Sequence, residues 1–218
     1  MKELNDIVTF PMENDDWFVT TIIGGVLMLL SVFIVPLFLV YGYIVGVIRG
    51  SLGGASEPPS FGDWTTLLVE GVQAWFIGVI YMLIPLIVGG LTVGGSVLAT
   101  ASGTNTGSAI GSGGMYIGFL VTFLLSLVFG YIAVAAIVNF AREERFGAAF
   151  DFDVLKGIVM HRDYAIAWLV AIGIFFVASL VNAVPLLGWI LGPFVGFYAA
   201  VVAADLWADG FASALGSV

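Results

Sequence analysis

No charged side chain occurs between Glu70 and Arg142, and two further uncharged runs cover residues 17–48 and 164–204. The runs are 71, 32 and 41 residues long. A helix crosses a hydrocarbon core about 30 Å thick with roughly 20 mostly apolar residues, so each run is long enough to span a membrane. The 71-residue run must turn inside itself. Its interior, residues 96–114, is dominated by Gly, Ser and Thr, a composition with high backbone entropy and little apolar area, which predicts a flexible loop between two helices. The 41-residue run divides at Asn182-Ala-Val-Pro185, because proline removes a backbone donor and clashes with the preceding turn. Five spans result, over about 18–48, 73–95, 115–141, 165–183 and 187–206, with six as the alternative. The first is long for a straight crossing, and one helix kinked at Pro36 is the expected form.

The predicted architecture is all-α: a polytopic transmembrane helix bundle in one domain over 17–206. An acidic N-terminal segment, 1–16, precedes it and a tail, 207–218, follows. Short amphipathic stretches lie between spans. After Pro58-Pro59, with Ser60 or Asp63 as a cap, Trp64, Leu67, Leu68 and Val72 recur at helical spacing. Val154, Leu155, Ile158 and Val159 do the same, with Asp153 as a cap and Lys156 and His161 turned away. Both read as helices lying in the headgroup plane, and Leu4, Ile7 and Val8 form a weaker third. The two long segments also look like copies in a parallel internal repeat: Gly42-Tyr43 matches Gly130-Tyr131, Phe61 matches Phe150, and Trp75 matches Tyr164.

Composition supports the class and narrows the chemistry. Hydrophobic residues make up 61% of the chain and charged residues 10%, with a mean hydropathy of +1.12, against about a quarter charged in a soluble domain. The N-terminus opens on Lys2 among Glu3, Asp6, Glu13, Asp15 and Asp16, unlike a cleavable signal. Five of the six cations, Arg49, Arg142, Arg145, Lys156 and Arg162, follow spans one and three, so those charged loops are expected in the cytoplasm. The glycine-serine loop and the N-terminus are then expected outside, in a multi-pass protein of the cell membrane. A net charge of −9 disfavours nucleic-acid binding and suits a high-salt cytoplasm, which points to a halophilic archaeal source.

Phe10-Pro11, Asp16-Trp17, Ile23-Gly24-Gly25, Pro36, Tyr41-Gly42-Tyr43, Arg49, Pro58-Pro59-Ser-Phe61-Gly-Asp63-Trp64, Gly71 and Ile80-Tyr81 to Pro85 form an ordered set. In these residues the chain resembles domain-of-unknown-function family 4013, multi-pass membrane proteins of haloarchaea. The resemblance extends to Phe150-Asp151-Phe152 and Tyr198. It implies location and architecture, and carries no activity or site residues with it.

Few residues offer chemistry. There is no cysteine and a single histidine, His161, so disulfides, thiolate metal sites and histidine clusters are excluded. Asn139 and Asn182 lie near span ends, and Asp205 and Asp209, four apart on one helix face, are the candidate polar or ion site, otherwise hydrated at the cytoplasmic interface beside Trp207. Glu143-Glu144 and Asp151-Asp153 read as a self-paired surface with Arg142, Arg145 and Lys156. Two glycine faces, Gly42/Gly46/Gly50 and Gly188/Gly192/Gly196, predict close helix packing in opposite leaflets. No catalytic set, cofactor or metal is expected. The expected function is a non-enzymatic scaffold or accessory component that interacts with membrane lipids, a second copy or a membrane partner. The alternative is a small transporter or lipid-handling protein for a neutral or hydrophobic substrate.

Overall fold

The computed structural model describes residues 4–216, and among them there is no strand. Lys2 and Glu3 of the N-terminal segment and the last two residues of the tail lie outside the described residues. Eight helices follow one another: α1 (Leu4–Thr9), α2 (Trp17–Leu29), α3 (Ile34–Leu52), α4 (Trp64–Ala101), α5 (Asn105–Glu143), α6 (Phe152–Val159), α7 (Arg162–Ser179) and α8 (Leu187–Leu215). Among the described residues five helices are long and apolar enough to cross a membrane, or six if residues 5–12 and 17–32, bent by 85° at their junction, count as one span. The all-α multi-pass class follows directly from the uncharged runs.

The expected single helix over 18–48 is two helices. A 3-10 turn at Leu30–Val32 and extended backbone at Phe33 break it three residues before Pro36. The residue before a helix start is free to be extended, and Pro36 then falls in the first turn of α3, where its missing N–H costs nothing. The Asn14 side chain donates to the Pro58 carbonyl in the loop after α3. The start of α2 and the end of α3 therefore share one end of the bundle, and the two helices form a hairpin. The segment before α2 thus lies beside the loop that follows α3.

The packed unit comprises the chain through Phe76 and from Val134 onward. At its centre is α8, which packs against α7, α2 and α3. Its Val201 to Leu206 stretch is buried without interruption, and the helix runs on to Leu215, so the expected tail is largely helical. Small residues on the helices admit neighbouring groups. The rings of Phe197 and Phe194 occupy the space where side chains on Gly24 and Gly25 would lie. A Cβ on Gly42 would meet the Leu67 carbonyl of α4, and one on Gly71 the Phe38 carbonyl of α3. Two helix backbones touch at this crossing, which glycine alone permits.

The remaining members of the two glycine faces receive other parts of the same chain. Pro59 and Ala55 of the returning loop lie 3.8 and 3.6 Å from where Cβ atoms on Gly46 and Gly50 would be. Gly188 and Gly192 accept Asn182, and Gly196 faces Met28 of α2 at 3.6 Å.

The second unit, Ile77–Ala133, is a hairpin of the outer parts of α4 and α5. Here the predicted glycine-serine loop over 96–114 is mostly helix, and only Ser102-Gly103-Thr104 turns. Gly103 adopts φ +71, and Thr104 Oγ1 accepts from the Gly107 N–H to start α5. The hydroxyls of Thr92, Ser96, Thr100 and Ser112 bond back to carbonyls one turn earlier on their own helices, which removes their competition with the backbone. Gly111, Gly114 and Gly118 then lie against Ser96, Thr100 and Thr92 of α4, and Gly107 against the Ala99 carbonyl and the turn. The composition that reads as a loop is a small-residue interface between two helices.

The amphipathic stretches are also used differently. The first is the opening of α4, capped by Asp63, whose carboxylate accepts from the Thr66 N–H and hydroxyl. The second is α6, capped by Asp151 in place of Asp153. Leu155 and Ile158 of α6 are buried against protein, so its apolar face packs onto the bundle. His161 caps α7 through Nδ1, which accepts from the Asp163 N–H.

Candidate functional site

The polar chemistry of the packed unit collects where α3 and α5 end and α4 begins. Arg49, in the last turn of α3, forms a two-pronged ion pair with Glu70 of α4, with Nη1 to Oε2 at 3.2 Å and Nη2 to Oε1 at 2.7 Å. Its Nε donates to the Ala141 carbonyl of α5 at 3.3 Å and lies 3.2 Å from Glu144 Oε1. One guanidinium therefore joins three helices, a task suited to its planar fork of donors. The Arg49 and Glu70 side chains are 31% and 17% exposed, so water screens the pair only in part.

Glu144 has φ 53 in the left-handed region, where glycine is the usual residue at a helix C-terminus. Its N–H closes α5 onto the Phe140 carbonyl at 2.9 Å, while its carboxylate reaches Arg49. A glycine would relieve the backbone and lose the ion pair. Beyond it, Glu143 pairs with Arg142 at 2.8 Å and Arg145 at 3.1 Å, and the Arg142 guanidinium stands 5.8 Å from the Phe211 ring of α8. Asn139, 1% exposed, donates to the Ala148 carbonyl at 2.8 Å and ties the following loop to α5.

An aromatic stack holds the other loop. The Tyr43 hydroxyl donates to the Pro59 carbonyl at 2.8 Å, and the Phe61 ring stacks on Tyr43 with centroids 4.2 Å apart. Phe61 also stacks on Trp64 and lies near Phe197. The Pro58-Pro59-Ser-Phe61 segment is thereby folded back into the helices. Asp63, at the exposed start of α4, has its carboxyl held below the ordinary carboxylate range, chiefly by the Thr66 hydroxyl and then by the Thr66 and Thr65 backbone N–H groups. Because the folded value is depressed, the cap contributes above the unfolded carboxylate range, and its contribution is lost as pH falls through the folded value.

The two candidate carboxylates of the sequence, Asp205 and Asp209, both lie on α8. Asp205 is fully buried in α8, so the hydrated interfacial position expected for it does not hold. Asp209 is half-buried and lines a cleft of about 410 Å³ with Asp6, Glu13, Ser51 and Ser56. Among the described residues no group of His, Asp and Glu is arranged to hold a metal ion. The pairing of Arg49 with Glu70 and Glu144, the Tyr43–Phe61 stack and the Asn139 bond were not foreseen. One signal was present: Arg49 and Glu70 are the charges immediately outside two long uncharged runs, one on each side of the first loop.

The model of a family described as a protein of unknown function, DUF4013, matches residues 26–187. The chain belongs to the DUF4013 family. The DUF4013 match starts inside α2, takes in the α2–α3 turn, Arg49, Glu70, Glu144 and the Tyr43–Phe61 stack, and ends where α8 begins. Asp205, Asp209 and Tyr198 lie beyond it. No curated protein and no solved structure matches the chain.

Proposed function

We propose that the protein is a non-enzymatic scaffold or accessory component of the cell membrane, which engages a membrane-protein partner at its charged end. A single observation carries this reading. Helix α6 buries Leu155 and Ile158 inward, while Phe152 at its start and Met160 just past its end are exposed at 65% and 81%. These two apolar side chains, exposed at either end of a helix beside a charged surface, support contact with a partner there. The neighbouring cations support the same reading, because Arg49, Arg142 and Arg145 are engaged by carboxylates of this chain, an arrangement that holds shape.

The placement of Arg49, Arg142, Arg145, Lys156 and Arg162 supports a cytoplasmic charged end. The net charge of −9 supports a haloarchaeal source. The test is purification in mild detergent, with crosslinking and mass spectrometry of wild type and a Phe152→Ser/Met160→Ser variant. A partner at fixed stoichiometry, released by the variant while its unfolding midpoint stays unchanged, is the expected outcome. Wild type isolated alone, or a partner held equally by the variant, contradicts the reading.

A further inference from the structure

A second surface of the packed unit lies away from the charged end. Residues of α7 and α8, with Val8 of α1, line a groove of about 560 Å³ whose surface is almost wholly apolar. That volume is within the range of small-ligand sites, about 300–1,000 Å³. Gly173, Ile174, Val177 and Val202 line it, together with Val8 and Tyr198. Nothing lies within 4 Å of the position a Cβ on Gly173 would take, so the groove is open there. Both helices are among those long and apolar enough to cross a membrane. The medium outside the groove is therefore hydrocarbon.

The N-terminal helix closes one end. Ile7 of α1 is buried at 2% exposure in a cluster with Ala171, Val202 and Leu206. The Tyr198 hydroxyl donates to the Val8 carbonyl and fastens α1 across the two helices. This bond also uses the one hydroxyl proton at the groove, leaving an apolar surface for its occupant. A transmembrane helix about 10 Å across and 30 Å long could not run along this face without meeting α1. A single hydrocarbon chain could. It would enter from the end near Ala178 and Val195, toward the turn at Leu180–Ala183, and stop at Val8.

We propose that this groove holds one hydrocarbon chain of a membrane lipid from the leaflet opposite the charged end, with α1 as the stop at its inner end. The proposal goes beyond the partner surface on α6 and shares no residue with it. The test uses the full chain reconstituted in phosphatidylcholine bilayers, extracted in mild detergent and weighed by native mass spectrometry. Wild type should keep one phosphatidylcholine per chain. Gly173→Leu, which fills the groove without a backbone clash, should lower the retained fraction by about fivefold or more. Gly90→Leu, also at a position with nothing within 4 Å but in the other unit, should retain it as wild type does. Ala178→Phe is the second filling variant should Gly173→Leu fail to fold, and the same loss is expected. Wild type without a retained lipid, equal retention in the filled variants, or a dimer mass replacing the lipid overturns the proposal. Because the readout is lipid mass, any of these leaves the α6 reading standing on its own test.

Discussion

Replacing Gly71 by valine should lower the thermal unfolding midpoint in detergent by roughly 10 °C or more, the largest effect of any single glycine substitution in the packed unit. The added Cβ would fall on the Phe38 carbonyl of α3, and the opposing Gly42 faces the Leu67 carbonyl in the same way. Overpacking a close-fitted interior costs about 1–3 kcal/mol where side chains can shift. A helix backbone cannot shift alone, so α3 and α4 would have to separate, taking the Arg49–Glu70 pair and the loop between them along. Alanine at Gly71 should also destabilise, although it raises intrinsic helix propensity by about 1 kcal/mol. At Gly78, where a Cβ meets nothing within 4 Å, the same alanine should leave the midpoint unchanged or raise it. A Gly42→Ala/Gly71→Ala double variant should fall short of the sum of its singles, because the first substitution already parts the helices. Equal midpoints for the alanine variants at 71 and 78 would show that the crossing is looser than described.

Arg49→Met should cost about 2–3 kcal/mol, between the values of exposed and fully buried pairs. The loss arises less from the missing attraction than from what stays behind, since Glu70 is only 17% exposed and would be left without its cation. The expected drop in midpoint is roughly 4–12 °C. Arg49→Lys should recover only part of it, because an ammonium cannot make the two parallel bonds to Glu70 and also serve Ala141 and Glu144. Arg49→Met/Glu70→Leu should regain most of it, since no uncompensated charge remains. Additive losses in the double variant, measured by the same unfolding experiment, would contradict the lock.

What the sequence made legible followed from the properties that a bilayer enforces. Long uncharged runs dictate helices, and proline with polar residues near 182–185 dictates a turn, as found at Leu180–Ala183. The misread segments are those where one composition serves two structures. Gly, Ser and Thr over 96–114 suit a loop in water, but between two helices the hydroxyls bond back and the glycines become contact points. The break at Phe33 had no local marker except Pro36, which fits a helix start as well as a kink. It is fixed by tertiary contacts, with Gly24 and Gly25 seated on Phe197 and Phe194. For Asp205, position near a span end suggested hydration, yet α8 continues for ten residues more and remains surrounded by its neighbours. The Arg49 lock joins residues from three helices, and pairing at that distance leaves no periodic trace.

The hairpin of α2 and α3 underlies the whole two-sided arrangement, and cysteine accessibility tests it directly in a chain with no cysteine of its own. Single cysteines at Glu13, Ser56 and Ser102 would be exposed in turn to a membrane-impermeant thiol reagent in intact cells. Residues 13 and 56 should behave alike, both protected until the membrane is opened, while residue 102 reacts at once. Opposite behaviour of residues 13 and 56 would place the N-terminal segment and the first charged loop on different sides and contradict the hairpin.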